Sequence, residues 1–564
     1  VCDDFQLSHA SSSCERADQT NYLGVFSAAC ECAIAATDAQ CTMYMFSAAN
    51  PAWGCRCCLA KTGGHPSWNI YSLPPPPSSP PSPPTSPLSF DWASDWKSLT
   101  SGVASLAYGG GGSSSLVVHG PAAFPILFDS SGNILAAVGC QAAPSSAGCA
   151  LMVGHEGQLK GSLSGGSGQL ILNTIGWMAN RQSAGSSSAS ITVGLQAGLW
   201  GLAAFLTTHG IAHSYVSGTS DSLTSVDVYV RDIYGSITSD DVEAAGAFVA
   251  RGGNLILGGH AWYHFNSATI GNNVGNQLLR AAGLGVFIST AYVPGETYTV
   301  GTEPPSRFTH ASYALDALAG APKNLAVTAR DAASAAVTKA AQALPLKIYP
   351  EYWARLQAFV NDLTINPTSD TPFNAAADPV GKLQLTIEAL VLDLLPASDA
   401  HRGAADFPGV VPSSTSPVSQ TLSIDGTYTG RDSGYMYANA GAAVWRSTGL
   451  YANAGEMVSV SLPSSATSAG LQLRIGCHSD SLMGKSSMIR FPKITKTTDL
   501  DQELVSTKSA FGGLLYVTVP AGAALGSISV TISGGFLSPM YVHGRDSLAD
   551  WQGQLAASAP PWGG

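Results

Sequence analysis

The sequence predicts a multidomain protein of the α/β plus all-β class. It divides into a disulfide-rich head at 1–73, an extended linker at 74–88, an α/β domain at 89–320, a helical connector at 321–410 and a β-sandwich at 411–564. Three observations predict this. Eight of the eleven cysteines fall within the first 58 residues. The run PPPPSSPPSPPTSP, from Pro74 to Pro87, can form neither helix nor sheet. After about Val411 a pattern of alternating strands and helices gives way to strands alone.

Composition excludes several function classes. The formal net charge is −11 with 11% charged residues, and no cluster of lysine or arginine forms a phosphate-binding stripe. Nucleic acid and anionic membrane are therefore not expected partners. No apolar run approaches the ~20 residues that a bilayer span needs. The chain begins at Val1 without a leader and reads as a processed, secreted protein of a cell surface or matrix. It contains no Asn-X-Ser/Thr acceptor, so any sugars are expected to be O-linked.

In the head, Cys2, Cys14, Cys30, Cys32, Cys41, Cys55, Cys57 and Cys58 make an even set whose connectivity sequence cannot choose. A piece of this size holds too little core to be stable unstapled, and secretion supplies the oxidising compartment. Zinc competes for Cys55-Arg-Cys57-Cys58, but the spacing fits no common finger. Trp53 and Trp68 are candidate sugar-stacking residues, although in so small a domain a core position competes. The order CTMYMFSAANPAWGCRCC, then GGHPSWNIYSL, resembles a PAN/Apple-type adhesion module. That resemblance implies binding of protein or carbohydrate without catalysis.

The linker should adopt polyproline II at about 3.1 Å per residue, reaching roughly 40 Å. Its Ser-Pro and Pro-Pro runs resemble the hydroxyproline-rich, O-glycosylated spacers of plant and green-algal wall glycoproteins. That resemblance makes Pro75, Pro76, Pro77, Ser78, Ser79, Pro80, Pro81, Ser82, Pro83, Pro84, Ser86 and Pro87 candidate modification positions.

From about Trp92 to Gly320, the short apolar runs SLVVHG, GCALMVG, ASITVGL, DVYVRDI and NLILGGH have the character of buried parallel strands. DDVEAAGAFVARGG carries an amphipathic helix, with Ser239 as its expected cap and Asp240 and Asp241 near its positive end. Ligands of open α/β sheets sit at the C-terminal strand ends, which places His155, Glu156, Asp232 and His260 along one edge. Cys140 and Cys149 flank a short polar loop and are expected to pair. The segments HGPAAFPILFDSSGNILAAVG, VGHEGQL, DVYVRDIYGSITSDDVEAAGAFVARGGNLILGGHAWY and LLRAAGLGV resemble the TRP channel-associated factors and their enhancin-like metallopeptidase relatives. The resemblance implies a glutamine-amidotransferase-like α/β domain that has lost its nucleophile. No cysteine sits in a strand-to-helix elbow, and no G-x-S-x-G motif accompanies the histidines.

Residues 321–400 carry alanine and leucine at helical spacing, and Tyr349, Tyr352 and Trp353 are placed to face a core. The strands VSVSLP, LQLRIGC, LLYVTVP and SISVTISG, separated by Gly, Pro and Ser turns, predict the sandwich. There WRSTGLYANAGEMVSVSLP, LQLRIGCHSDSL, RFPKITK, STKSAFGGLLYVTVP and YVHGRDSLADWQ are similar, in order, to the β-sandwich preceding the zinc domain of enhancin-like, mucin-directed peptidases. The zinc signature HExxH is absent: His155-Glu156-Gly157-Gln158-Leu159 lacks the second histidine one helical turn on. No catalytic residue, metal or cofactor is therefore assigned. Arg474, His478 and Asp480 form a candidate ligand-binding triad, with a structural network as the competing reading. Cys477, the odd cysteine, is expected to be either buried and free or available to a neighbouring chain.

The expectation is a secreted, non-catalytic glycoprotein of matrix or cell surface that binds glycoprotein or carbohydrate. Self-association, head to tail, would propagate as a filament. The alternative is the targeting portion of an enhancin-like zinc peptidase acting on mucin-type glycoproteins, its catalytic domain lying after Gly564. A third reading, a channel-associated regulatory factor, conflicts with the stapled head, since those relatives are intracellular.

Overall fold

The structure, a computed structural model, describes residues 92–562 apart from 108–110, 143–147, 162, 164, 183–190, 296, 321, 362, 395–397 and 431–440. Before these it describes residues 6–9, 12–13, 19–24, 32, 43–47, 50, 55–58, 63–64 and 69–72. The chain forms two compact units, Val1–Ser89 and Phe90–Gly564.

The first unit is built on an antiparallel sheet of β1 (Gln6–His9), β2 (Gln19–Gly24), β3 (Met43–Phe46), β4 (Cys55–Cys58) and β5 (Asn69–Ser72), in the order β1-β5-β3-β4-β2. Tyr44, Met45 and Phe46 are buried, and a Cys32–Cys55 disulfide, Cα atoms 5.6 Å apart, fixes β4. Cys2, Cys14, Cys30, Cys41, Trp53, Trp68 and the whole proline-rich linker lie outside the described residues, as do the side chains of Cys57 and Cys58.

The second unit opens with α1 (Trp92–Thr100) and a sheet of β6 (Ser113–Val118), β7 (Ala123–Phe128), β8 (Ile134–Cys140), β9 (Cys149–Val153), β10 (Thr192–Leu195), β11 (Ala212–Tyr215), β12 (Val228–Asp232), β13 (Asn254–Gly258) and β14 (Val286–Val293). The order is β11-β10-β12-β13-β9-β8-β6-β14, with β7 on β8. Strands β11, β10, β12, β13 and β9 run parallel, separated in sequence by α2 (Gly166–Gln182), α3 (Trp200–Thr208) and α4 (Ser239–Ala250). The parallel strands read as continuous apolar runs because both faces are covered. Leu255 and Leu257 of β13 point into one core with α4 and α5 (Val274–Ala281), while Ile256 points into the other with α2 and α3.

Two features, the mixed sheet and the cap of α4, depart from the sequence reading. The sheet is mixed, because the stretch between β8 and β9 is too short for a parallel crossover; they pair antiparallel, and Cys140 faces Cys149 across the ladder in a disulfide. Pro125 is tolerated within β7 because that strand lies off the main path and pairs only with β8. The cap of α4 is Thr238, not Ser239: the Thr238 hydroxyl accepts the Asp241 N–H at 3.2 Å, and Ser239 becomes the first helical residue.

The predicted connector is not a separate layer. Helices α6 (Ala311–Gly320), α7 (Val327–Ala343), α8 (Pro350–Val360) and α9 (Pro379–Leu394) place Ala314, Val337, Tyr352, Trp353, Leu356 and Ile387 in the same core as Leu116 and Phe287 of the sheet. The alanine-rich α7 lies close on β6 because small side chains permit the approach. On α9, Leu383 and Ile387 face this core, whereas Leu385 and Ala389 meet Met488, Phe491 and Phe511 of the C-terminal region. One helix thus has two apolar faces, each covered by a different layer.

The C-terminal region comprises β15 (Val418–Tyr428), β16 (Val444–Ala452), β17 (Met457–Ser461), β18 (Gln472–Ile475), β19 (Lys496–Asp499), β20 (Leu504–Lys508), β21 (Gly513–Val519), β22 (Ala523–Leu537) and the helix α10 (Leu548–Ala557). The sheet order is β19-β18-β21-β16-β22-β17-β20, with β15 on β22. The long strand β22 pairs with β15 and β17 along most of its length and with β16 at Phe536 and Leu537. It therefore passes from one layer into the other, and the predicted sandwich is nearly closed and barrel-like. Val458, Val460, Leu473, Val517, Val530 and Ile532 fill the interior.

Candidate functional site

The parallel strands end on one edge, and the residues leaving β9, β12 and β13 meet there. Glycine permits the approach: a Cβ on Gly259, just past β13, would stand 2.4 Å from Ile233 Cγ1, just past β12. The same approach brings His260 against Tyr234. His155 and Glu156 leave β9, and Glu156 precedes the helical turn Gly157–Lys160.

These side chains form a closed polar cluster. Tyr234 donates its hydroxyl to Glu156 Oε2 at 2.6 Å and accepts the His260 backbone N–H at 3.0 Å. His260 Nδ1 lies 2.9 Å from both Glu156 Oε2 and the Tyr234 oxygen. Since both are acceptors toward it, Nδ1 carries the ring proton and Nε2 is the basic nitrogen. His155 Nδ1 accepts the Gly157 N–H at 2.9 Å and lies 3.6 Å from Glu156 Oε2. Lys160 pairs with Asp232, which also accepts the Tyr234 N–H at 3.1 Å.

The electrostatics follow from this packing. Burial pushes the Glu156 carboxyl up, but the Tyr234 hydroxyl and the two imidazoles more than offset that, leaving it below its ordinary value and ionised. Burial and the bond to Glu156 push the Tyr234 phenol far above its usual range, so it remains a donor. An anionic carboxylate orienting a histidine is the supporting half of a nucleophilic site. No cysteine thiol supplies the other half: the only cysteines of 89–320, Cys140 and Cys149, are joined in a disulfide away from the cluster.

Aromatic side chains rim the cluster. Trp262 stacks on His260 at 5.2 Å and is pinned by its indole N–H to the Gly112 carbonyl at 2.9 Å. Tyr292, from β14, meets Trp262 edge-on at 4.8 Å, and Tyr263 does so at 5.7 Å. Tyr263 is 72% exposed and Tyr292 53%. Sequence reasoning placed His155, Glu156, Asp232 and His260 together but missed Tyr234 and this rim. The run His-Ala-Trp-Tyr-His at 260–264, directly after a strand, was the available signal.

The other predicted triad does not converge. Arg474 donates to the carbonyls of Gly476 and His478 and lies 4.1 Å from the Trp445 ring centre. Asp480 pairs with Arg490 at 2.7 Å, and the His478 ring packs on Phe407. The charges are spent on turn structure, which answers for their proximity in sequence. Cys477 is a free and exposed thiol. Tyr352 and Trp353 are core residues, as their spacing predicted, and Tyr349 packs against the same core.

Comparison with known proteins matches two family models. The family described as "TRPM8, N-terminal domain" covers residues 71–302, and the N-terminal domain of M60-like peptidases covers residues 430–533. TRPM8 channel-associated factor 2 of Homo sapiens is 30% identical over 492 residues, 84% of this chain and 49% of that protein. TRPM8 channel-associated factor 1 of Homo sapiens is 40% identical over 119 residues, 21% of this chain and 13% of that protein. Among solved structures, IMPa metallopeptidase from Pseudomonas aeruginosa aligns with a TM-score of 0.48 at 16% identity, covering 82% of this chain and 55% of its own. The chain spans about half the length of the full-length curated relatives it matches along most of its own. Its homologues are TRPM8 channel-associated factors, and it carries the N-terminal domain of M60-like peptidases.

Proposed function

We propose that this protein is a secreted, non-catalytic recognition protein that binds the glycans of glycoproteins at the carboxyl edge of its α/β domain. One observation carries the reading: the preorganised rim of Trp262, Tyr263 and Tyr292, two of whose rings face solvent beside a fixed array of polar donors and acceptors. Rigid aromatic faces supply contact area at little entropic cost, and the adjacent Glu156 carboxylate and His260 Nε2 offer acceptors to hydroxyls. The match to the N-terminal domain of M60-like peptidases supports a mucin-related ligand. The cysteine-dense head and the disulfides Cys32–Cys55 and Cys140–Cys149 support an oxidising, extracellular location.

The test is binding of mucin-type O-glycopeptides to the purified chain by calorimetry. Binding is expected, and Tyr263→Ala with Tyr292→Ala should weaken it at least tenfold with an unchanged melting temperature. Equal binding by the double variant would remove the rim from the reading, and no binding by the parent would end it.

In this proposal the PAN/Apple-like head on its algal-type O-glycosylated spacer mediates head-to-tail association in a matrix. Sedimentation velocity should then show concentration-dependent oligomers that vanish when residues 1–73 are removed; monomers at every concentration would refute assembly. A second reading, the targeting portion of a mucin-directed zinc peptidase, draws on the same match at 430–533 and on the chain's spanning half of its relatives. It shares the glycopeptide prediction and adds cleavage by a longer chain. The relatives' names bring a third, association with a channel, against which the disulfides weigh.

A further inference from the structure

The HE pair at 155–156 lacks the histidine that a zinc helix would place four residues on, which is why the sequence assigned no metal. The fold supplies a second histidine from elsewhere. We infer that His155, Glu156 and His260 hold one divalent transition-metal ion of the zinc class at the carboxyl edge of the sheet. Each offers one ligand atom, and these atoms lie within 4.8 Å of one another. His260 Nδ1 and His155 Nδ1 stand 2.9 and 3.6 Å from Glu156 Oε2. Ligand atoms around a tetrahedral ion at about 2.1 Å are separated by roughly 3.4 Å, close to the two distances from Glu156 Oε2.

The donor set selects the ion. Two imidazoles and a carboxylate suit zinc and its first-row neighbours, whereas calcium and magnesium take oxygen ligands. The surroundings are those of an oriented site. Tyr234 donates to the ligating carboxylate; on binding, the ion would replace the Gly157 N–H at His155 Nδ1 and the proton at His260 Nδ1, that ring passing to its Nε2–H tautomer. Lys160 is committed to Asp232 and leaves the Glu156 charge to the imidazoles. His155 and Glu156 adjoin on one strand exit, and His260 is held by its backbone bond to Tyr234, so the cluster exists before an ion arrives.

This assignment does not rest on the glycan reading, and the experiment separates them. Tag-free, full-length protein stripped of metal and carrying Cys477→Ser is titrated with Zn²⁺ at neutral pH by calorimetry. The Cys477 substitution removes the exposed thiol beside His478 as a rival site. One equivalent should bind, and Glu156→Gln or His260→Gln should weaken binding at least a hundredfold. Tyr234→Phe, which keeps all three ligands, should weaken it about tenfold. Tyr263→Ala with Tyr292→Ala should leave it unchanged whatever happens to glycan binding. Circular dichroism confirms that each variant is folded. Should a ligand variant unfold, the Co²⁺ spectrum of the Cys477→Ser parent decides, with nitrogen and oxygen ligation expected. Undiminished Zn²⁺ binding by Glu156→Gln and His260→Gln, or no stoichiometric binding by the parent, overturns the assignment.

Discussion

Replacing Trp353 with alanine should destabilise the second unit by about 3–5 kcal/mol, the range for deleting a buried tryptophan. The side chain is 4% exposed, and its indole N–H donates to the Leu344 carbonyl at 2.8 Å. Alanine removes the ring and leaves that buried carbonyl without its donor, so transfer, cavity and hydrogen-bond losses act together. The location of the damage is the informative part. Trp353 shares a core with Leu116, Phe287 and Leu257, so the sheet should lose stability along with α8. Urea unfolding by far-UV circular dichroism, with amide exchange read at β13, checks this. Protection at Leu255–Leu257 that survives while α8 frays would mean that the helices are an independent layer after all.

That result bears on what the sequence could reveal. The α/β alternation and the terminal strands were legible because both are local signals: apolar runs bounded by glycine, or strands at even spacing. The helices after Gly320 were legible as helices. Their destination was not, because a stretch such as Val327–Ala343 is uniformly small on most faces and periodicity does not say which sheet covers it. The boundary drawn at 320 therefore cut through a single core. β22 was underestimated for a related reason: a strand that changes layers near its end reads as one strand with one partner sheet.

The candidate site divides along the same line. The rule that ligands gather at carboxyl strand ends put His155, Glu156, Asp232 and His260 on one edge, and the fold does bring them together. What sequence could not convert was proximity into pairing. Glu156 and His260 are 104 positions apart and Glu156 and Tyr234 are 78, separations at which no motif spacing operates. Conversely, Arg474, His478 and Asp480 are close in sequence, yet a tight turn spends their charges on carbonyls and on Arg490. Nearness along the chain was the weaker guide in both cases.

Replacing Arg402 with methionine should cost about 3 kcal/mol, because it leaves a buried carboxylate with only the His401 imidazole, 3.4 Å away, as partner. Glu388 sits on α9, the helix shared by both cores, with its side chain 11% exposed. Arg402 grips it through two bonds of 2.7 and 2.8 Å and also donates to the Ile365 carbonyl. Breaking a fully buried pair costs about 3–5 kcal/mol; the lower figure applies because the arginine keeps 28% of its side chain in water. Burial pushes the Glu388 carboxyl up, yet Arg402 and His401 hold it below its ordinary value. A depressed carboxylate stabilises the fold above its unfolded pKa, about 4.3, and loses that contribution as pH falls through the folded value. The gap between parent and Arg402→Met should accordingly be largest at neutral pH and close on acidification, as Glu388 takes up its proton first in the variant, where burial raises it, and then in the parent. Adding Glu388→Leu to the variant should recover most of the loss, since an apolar pair leaves no charge stranded. Chemical denaturation of the three proteins across this range measures it. A cost for Arg402→Met that is small, or that stays constant with pH, would show that α9 is held in place by its two apolar faces alone.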